Sequence, residues 1–332
     1  MLERKMPKGK SSGLRPQPGE KVLWIRFSAF GDVLQAAASA HRFKMKYPEV
    51  HLTFLTHLNY AKILEIQPYI DDLLFWDVKK RPWDFFRVLR EIRASNFKWL
   101  FSLHRGAAAA SIAFFSGVRQ RFGYNSGMQL CYKTTHWECL DKLGVDFKNR
   151  DEAAIFVLPE DREKAESMLS GLPDKKIFAV IGASKPQKFW PIQHWIKFLS
   201  PLVAEGWGVV LNGHGETEAR TAREIEEALR SRTVLTLVGQ TPFPLMAAVA
   251  ATCSVAVGND TGPLHLAALV GTPTLGFFGV TDAYGMDFRM PWFREARVSC
   301  PQAGCRNYRC PVDCLADISP AQALHAFREF TS

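Results

Sequence analysis

Short apolar runs alternate with helical patterns from Lys21 onwards. The segment after the first run predicts a helix from Asp32 to about Tyr47, and RFGY, further along, is a candidate strand. The apolar runs in the first half of the chain are KVLWIRF, HLTFLT, DLLFWD and WLFSLH. Buried strands that alternate with helices are typical of βαβ units around a parallel sheet. The pattern therefore predicts a doubly wound domain over residues 21–160.

The same alternation restarts in the second half of the chain. Its apolar runs are IFAVIGAS, GVVLNG, VLTLVG, SVAVGND and TPTLGFFG. They predict a second doubly wound domain over residues 175–318, joined to the first through the Pro159 to Asp174 region, and a terminal helix within residues 319–332. The predicted fold class is α/β, with two Rossmann-like domains facing each other across a cleft. Ligands in such folds bind at the carboxyl ends of the strands.

Composition and charge narrow the class of protein. Residues 1–20 are rich in Lys, Arg, Pro, Gly and Ser and predict a flexible basic tail. The formal net charge of +9 favours nucleotides, phosphorylated glycans, nucleic acid or an anionic membrane surface, without selecting among them. No apolar stretch is long enough to span a bilayer, and the first residues lack the apolar core of a signal peptide. We therefore expect a cytoplasmic protein.

The loop after the first strand reads RFSAFGDV and carries the first candidate for chemistry. It contains neither a G-x-G-x-x-G fingerprint nor a P-loop lysine. Gly31 allows the backbone to approach a neighbour closely, and Asp32 places a carboxylate at a helix start that faces the predicted cleft. The alternative is that Asp32 only caps its helix.

The segment GNDTGPLH follows the apolar run SVAV and enters a helix. Pro263 suits a first helical turn, and the N–H groups before it, with the Thr261 hydroxyl, form an anion site at the positive end of the helix dipole. Such a geometry suits a pyrophosphate. The alternative is a capped helix, with Asp260 as the N-cap and His265 as a partly buried side chain whose hydrogen bonds are satisfied.

Two further loops follow predicted strands. The first, GASKPQKFWP, begins at Gly182 and includes Ser184. Its lysines, Lys185 and Lys188, are candidates for neutralising a diphosphate leaving group, and the alternative is ordinary solvated surface charge. In NGHGE, the carboxylate of Glu216 is a candidate acceptor for ribose hydroxyls, on a weak signal.

Together these loops resemble glycosyltransferase family 9, the lipopolysaccharide heptosyltransferases, over nearly all of residues 21–330. The resemblance rests on four ordered elements, SAFGDVLQAAASAHRFKMKYP, ASKPQKFWPIQHW, NGHGETEA and VGNDTGPLHLAALVGTPTLGFFGVTD. It implies the GT-B fold, an ADP-heptose donor and an acceptor in the Kdo or heptose region of the inner core on lipid A. It also implies inversion at the anomeric carbon and catalysis that requires no metal.

The resemblance also implies roles for particular residues. Asp32 falls on the general base of the family, which takes the proton of the acceptor hydroxyl. Lys188 falls on its phosphate-binding lysine and Glu216 on a position that holds the nucleoside sugar. Residues 260–262 fall on the segment that cradles the pyrophosphate and sugar, and His265 is included among the donor-binding residues.

A basic, aromatic segment predicts the acceptor surface. Between Lys79 and Arg93, six basic residues, Arg81 among them, are interleaved with Trp83, Phe85 and Phe86. Such a helix suits a phosphorylated glycolipid on an anionic inner-membrane surface, and the alternative is a helix with its apolar side in the core and its charges in water. Arg105 and Arg121, each beside a predicted strand end, are further candidates, and Gly31 is assigned to the acceptor side.

A cysteine cluster near the C-terminus stands apart from these loops. Its members are Cys300, Cys305, Cys310 and Cys314. Their C-x4-C-x4-C-x3-C spacing is wider than that of most structural zinc sites, so both a structural zinc or iron ion and free or oxidised thiols remain open. No catalytic role follows from them.

Two other functions remain as alternatives. One is a transferase of the same family that uses another sugar or a protein acceptor. The other is a polyanion-binding module, which the charge and the basic segment suggest but which does not explain Asp32 or the ordered loops. We therefore expect no nucleic-acid partner. The sequence leaves the oligomeric state open.

Overall fold

The computed structural model describes residues 15–123, 130–131, 138–141, 143–145, 152–283 and 290–331. These form two compact units. The first contains the described residues within Met1–Arg26, Ser39–Leu55 and Tyr69–Phe147. The second contains those within Phe27–Ala38, Thr56–Pro68 and Lys148–Ser332. Asp32 therefore belongs to the second unit, although it lies early in the chain. The predicted basic tail lies largely outside the described residues.

A six-stranded sheet forms the core of the first unit, in the order β3-β2-β1-β4-β5-β6. Its strands are β1 (Lys21–Ile25), β2 (His51–Thr56), β3 (Asp72–Phe75), β4 (Trp99–Ser102), β5 (Gln120–Gly123) and β6 (Leu130–Cys131). Strand β1 pairs in parallel with β2 and β4, and β5 pairs in parallel with β4 and β6. This order is that of a doubly wound sheet, as predicted.

The helices of the first half follow the predicted alternation. They are α1 (Phe30–Lys46), α2 (Ala61–Glu65), α3 (Phe85–Ala94), α4 (Ala107–Phe115) and α5 (Glu138–Asp141). The predicted helix from Asp32 to about Tyr47 is confirmed as α1, which begins two residues earlier. In the core, the rings of Trp24 and Phe101 stack with centroids 4.5 Å apart.

The second unit repeats the doubly wound order in the sheet β12-β11-β10-β7-β8-β9, in which all five pairings are parallel. Its strands are β7 (Lys176–Val180), β8 (Gly208–Asn212), β9 (Val234–Thr236), β10 (Val255–Asn259), β11 (Thr274–Phe278) and β12 (Phe293–Arg297). Its further helices are α6 (Pro159–Leu169), α7 (Ile192–Ala204), α8 (Glu216–Leu229), α9 (Phe243–Thr252), α10 (Gly262–Leu269) and α11 (Pro320–Thr331). The predicted α/β class with two doubly wound sheets is thus confirmed.

The terminal helix α11 packs on the second sheet. Phe327 of α11 is fully buried, and its ring contacts Phe198 of α7 edge-on at 5.7 Å. The same apolar cluster includes Trp195 and Phe277. Burying an aromatic side chain of this size stabilises the fold by about 1.5–3 kcal/mol, so α11 is an integral part of the second unit.

Strands β7 and β10 are neighbours at the point where the strand order of the second sheet reverses. The loops that leave their carboxyl ends diverge there, and this is where doubly wound sheets bind ligands. Among the described helices, none has the length and apolar character needed to cross a membrane.

Candidate functional site

A cavity of about 1140 Å³ opens at this point of the second sheet. Its walls include Val180 at the end of β7, Asn212 at the end of β8 and Asp260 directly after β10. Gly31 and Asp32, from the start of α1, also line it. All of these residues belong to the second unit. Its size suits a ligand as large as a nucleotide sugar.

The anion-binding loop predicted at the start of α10 lines the cavity through Asp260, Thr261 and Gly262. The N-cap of α10 is Thr261, in an extended conformation, and its side chain makes no capping hydrogen bond. Pro263 lies in the first turn, as expected. The alternative in which Asp260 is the N-cap is therefore wrong, because the helix begins one residue later.

The carboxylate of Asp260 is a buried hub of hydrogen bonds, with only 5% of the residue exposed. Its Oδ2 accepts from Lys188 Nζ at 2.6 Å and from Thr281 Oγ1 at 2.5 Å. Its Oδ1 lies 2.9 Å from Nε2 of His265. Burial alone would raise the pKa of Asp260, but the hydrogen bond that it accepts from His265 and the charge and hydrogen bond of Lys188 outweigh burial and hold that pKa below its ordinary value. These contacts fix the position of the Lys188 side chain in the cavity wall.

His265 bridges this hub to helix α1. Its Nδ1 lies 3.0 Å from Nε2 of Gln35, which is itself buried. Since an amide nitrogen only donates, Nδ1 accepts in this orientation, and the ring proton on Nε2 is donated to Asp260. The alternative in which the hydrogen bonds of His265 are satisfied is confirmed for this residue, which is buried and also lines the cavity.

Gly31 makes the bridge sterically possible. A Cβ atom at this position would lie 2.6 Å from Nδ1 of His265, closer than side chains approach. The predicted close approach at Gly31 is thus confirmed, and the neighbour that approaches is the His265 ring.

Asp32 lies in the first turn of α1 and is half-buried. Its Oδ2 accepts a hydrogen bond from the backbone N–H of Ala29 at 3.0 Å, so the capping contact of the alternative interpretation is present. Asp32 nevertheless lines the cavity. A carboxylate accepts through two oxygens, so capping through Oδ2 is compatible with a second role in the cavity.

An aromatic wall beside Asp32 escaped the sequence analysis. The rings of Phe30 and Phe243 stack with centroids 3.9 Å apart, and Tyr60 stacks on Phe30 at 5.9 Å. Gly262 accommodates Phe30, because a Cβ there would lie 2.5 Å from its ring. Three distant segments contribute these rings, so no local motif signals the wall.

At the start of α8 the carboxylate that lines the cavity is not the predicted Glu216 but Glu218, which the sequence analysis did not single out. Glu216, the first residue of the helix, is exposed and is not among the lining residues, whereas the half-buried Glu218 is. Side chains two residues apart on an α-helix point in directions that differ by about 200°, so only one of Glu216 and Glu218 can face the cavity. Two glycines make room for Glu218, since a Cβ at Gly182 or Gly213 would lie within 3.0 Å of its side chain.

Asn212 is a second polar residue that the sequence analysis did not single out. It is 1% exposed, and neither amide atom has a hydrogen-bond partner among the described residues. An unsatisfied buried amide lowers the stability of the fold by about 1–3 kcal/mol. The stability of the fold does not explain why an unsatisfied amide lies beside a cavity.

The two remaining candidates for donor binding differ in position. Ser184 lines the cavity and Lys185 does not. Lys185 is exposed, and its ammonium lies 6.0 Å from the ring of Tyr308.

The three arginines predicted to bind the acceptor belong to the first unit and do not line the cavity. Arg81 lies 3.6 Å from the carboxylate of Asp84, and Arg121 donates to the carbonyl of Ala113 at 3.1 Å. Arg105 is exposed. Their assignment to the acceptor stays a prediction.

The cysteine cluster lines a separate cavity of about 300 Å³ in the second unit. Its four members, Cys300, Cys305, Cys310 and Cys314, are free thiols. Burial raises the pKa of Cys314, and the other three cysteines raise it further. Within the described ranges, no three His, Cys, Asp or Glu side chains are grouped so as to hold a metal ion. The predicted zinc or iron site is therefore not formed by these side chains as they stand, and it stays a prediction.

Comparisons with known proteins identify relatives of this chain. A curated protein of Haemophilus influenzae named putative glycosyltransferase is 25% identical over 287 residues, covering 78% of this chain and 82% of that protein. Lipopolysaccharide heptosyltransferase 1 of Campylobacter coli is 24% identical over 304 residues, covering 81% and 86%.

A solved structure shows the same fold over nearly the whole chain. The family 9 glycosyl transferase from Veillonella parvula DSM 2008 superposes with a TM-score of 0.83 at 19% sequence identity, covering 96% of this chain and 99% of that one. The two Rossmann-like sheets are thus those of a GT-B fold.

The profile of glycosyltransferase family 9 (heptosyltransferase) matches residues 85–316, more than half of the chain. The match includes Lys188, Glu218 and Asp260, which meet in the cavity at the end of the second sheet. The chain therefore belongs to glycosyltransferase family 9 and is a glycosyltransferase.

Proposed function

We propose that the protein transfers heptose from ADP-heptose to the Kdo or heptose region of the lipopolysaccharide inner core, by a single displacement that inverts the anomeric centre and requires no metal ion. The observation that carries the proposal is that one cavity contains the Asp32 carboxylate, the cation of Lys188 and the start of α10. The proposed base and the proposed leaving-group site thus line the same cavity. Relatives named lipopolysaccharide heptosyltransferases support the choice of sugar and acceptor.

The donor half of the site stabilises the departing diphosphate. Lys188 and the positive end of α10 neutralise the charge that develops as the bond between the anomeric carbon and the phosphate oxygen breaks. These groups supply the charge that a divalent ion provides in other transferases. Glu218, in place of the predicted Glu216, accepts from the ribose hydroxyls. Ser184 and Thr261 contact the same ligand.

The acceptor half carries the base. Asp32 takes the proton of the acceptor hydroxyl as its oxygen bonds to the anomeric carbon, and ADP leaves with the electrons of the broken bond. Such a base contributes about 10²–10⁴ to a rate. Phe30 and Phe243 offer an apolar wall to a sugar face. Arg81, Arg105 and Arg121 stay in the proposal as contacts to acceptor phosphates or carboxylates.

The proposal includes a cytoplasmic enzyme, peripheral at the inner membrane, where lipid-linked acceptors are accessible. The second candidate is transfer of another sugar, or transfer to a protein, by the same mechanism. The cysteine cluster takes part in no step of either transfer reaction. Elemental analysis of the purified protein, with Cys305→Ser and Cys310→Ser variants, tests whether it holds zinc or iron.

The test is ADP release from ADP-heptose, in the presence of EDTA, with a panel of truncated core acceptors. We expect turnover on one acceptor, and a loss of about 10²–10⁴ in the rate constant for the isosteric Asp32→Asn variant. ADP affinity, measured by calorimetry, should stay unchanged in that variant. Glu216→Gln serves as the control, because this carboxylate lies outside the cavity.

Three outcomes would count against the proposal. No release with any acceptor removes the proposed donor or acceptor. An unchanged rate in Asp32→Asn removes the base. Activity that EDTA abolishes and a divalent ion restores removes the metal-independent mechanism.

A further inference from the structure

Large aromatic side chains lie exposed on the first unit, around α3 and α4. The exposed fractions are 65% for Trp83, 75% for Phe86, 73% for Phe114 and 46% for Phe115. Side chains of this size are normally buried, and a contiguous exposed group marks an interaction site. We call these four residues, together with the exposed cations Lys79, Lys80 and Arg90, the aromatic–basic face.

Phe86, Phe114 and Phe115 belong to one surface, because α3 and α4 are joined beneath them, and Trp83 precedes Phe86 by three residues in the chain. The half-buried ring of Phe85 contacts Phe86 at 5.4 Å and Phe115 at 6.1 Å. Phe114 contacts Phe115 edge-on at 5.0 Å. Arg93 of α3 donates to the carbonyl of Phe115 at 2.9 Å. The ends of the two helices therefore present their aromatic side chains side by side.

Folding does not require these exposed rings. The core side of α3 consists of Val88, Leu89 and Ile92, which are buried as the alternative interpretation of this segment expects, whereas Phe85, which it also places in the core, is half-buried. Phe86 projects away from it. Helix α4, AAAASIAFF, contains no charged residue, and its last two residues are the exposed Phe114 and Phe115. An apolar helix end in contact with water is unfavourable unless something covers it.

The net charge of the segment that carries Trp83 and Phe86 is positive. Residues 79–93 contain six basic side chains and two acidic ones, and Asp84 and Glu91 are both engaged by Arg87. Lys79, Lys80 and Arg90 are exposed and form no ion pair with any residue in the described part of the chain. The surface therefore offers cations to an external anion.

We propose that the aromatic–basic face docks on an anionic lipid bilayer. Aromatic rings prefer the interfacial region, and nearby Lys and Arg are attracted to anionic headgroups. A second copy of this chain fits less well, because a two-fold contact would bring like charges together. The inference rests on the proposed function in one respect, which is that a lipid-linked acceptor gives the enzyme a reason to bind the bilayer.

The test is co-sedimentation of the full-length protein with phosphatidylcholine vesicles, with and without phosphatidylglycerol. We expect binding only to the anionic vesicles, weakening as salt rises. Neutralising Lys79, Lys80 or Arg90 to Gln should lower partitioning about fivefold each. Phe86→Ala and Phe114→Ala should each lower it by about tenfold.

Met45→Ala and Lys46→Gln are the matched controls, since both residues are exposed on the same unit but outside the face. Both should bind as the wild type does. Transfer to a truncated, water-soluble acceptor should be unchanged in every variant, so a failure of the proposed chemistry is separated from a failure of docking.

Equal sedimentation with both kinds of vesicle, or face variants that bind like the wild type, would overturn the proposal. So would a wild-type dimer in sedimentation velocity that Phe86→Ala converts to a monomer, because the face would then cover a second copy of the chain.

Discussion

The ring of His265 lies directly against Gly31, so close that a Cβ at position 31 would stand 2.6 Å from its Nδ1. Through this contact, and through Gln35, the turn that carries Asp32 is seated against the loop that carries Asp260. The positions of the proposed base and of the proposed leaving-group site therefore depend on Gly31, which has no side chain.

Gly31→Ala should displace the His265 ring and disturb both loops. We expect the free energy of unfolding to fall by about 1–3 kcal/mol. We expect the transfer rate constant to fall by about a hundredfold, because a shift of 1 Å between reacting groups has that effect. Urea denaturation and single-turnover kinetics measure the two. Gly171→Ala is the control, since a Cβ there meets nothing within 4 Å. Equal behaviour of the two variants would contradict the contact.

The exchange of Glu216 for Glu218 is tested by the matched pair Glu218→Gln and Glu216→Gln. We expect the first to raise the KM for the donor by roughly tenfold or more, because it weakens hydrogen bonds to a charged acceptor. The second should leave KM unchanged, since its carboxylate is exposed and outside the cavity. The reverse result would return the role to Glu216.

The pKa of Asp260 is held below its ordinary value, so its ionised form stabilises the folded protein. That contribution is fully present above the unfolded-state pKa of about 3.9, and it is lost as the pH falls through the lower folded-state pKa. Asp260→Asn should therefore be less stable than the wild type near neutral pH, and the difference should shrink on acidification below about pH 4. Urea denaturation across this range measures it. The exposed Asp174→Asn control should show little difference throughout, and a difference for Asp260→Asn that is independent of pH would contradict the assignment.

Asn212→Leu should separate stability from binding. Removing an amide that lacks partners among the described residues should stabilise the ligand-free protein by about 1 kcal/mol. It should also weaken ADP binding about fivefold, because Asn212 lines the cavity and its amide is available to hydrogen-bond the ligand.

Thr236→Val is the matched control for Asn212→Leu. Its hydroxyl is also buried and has no hydrogen-bond partner within the described ranges, but Thr236 does not line the cavity. It should gain stability with unchanged ADP affinity. An Asn212→Leu variant that is stabilised and binds ADP normally would leave Asn212 without a function in the site.

The fold could be predicted from the sequence because the patterns that indicate its strands and helices are local. Apolar runs that alternate with helical patterns predicted both sheets, and Pro263 after GNDT predicted the start of α10. The close approach at Gly31 was also anticipated, because only glycine tolerates one.

The chain by itself determined the elements, the order of the loops and the candidates within each loop, since strand periodicity and helix-start residues act over a few positions. Only the tertiary structure decided which candidates meet. The direction of a side chain on α8 selected Glu218 over Glu216, and the packing of segments far apart in the chain brought Phe30 to Phe243 and Gln35 to His265. Such contacts depend on how whole elements pack, which the pattern of neighbouring residues does not encode.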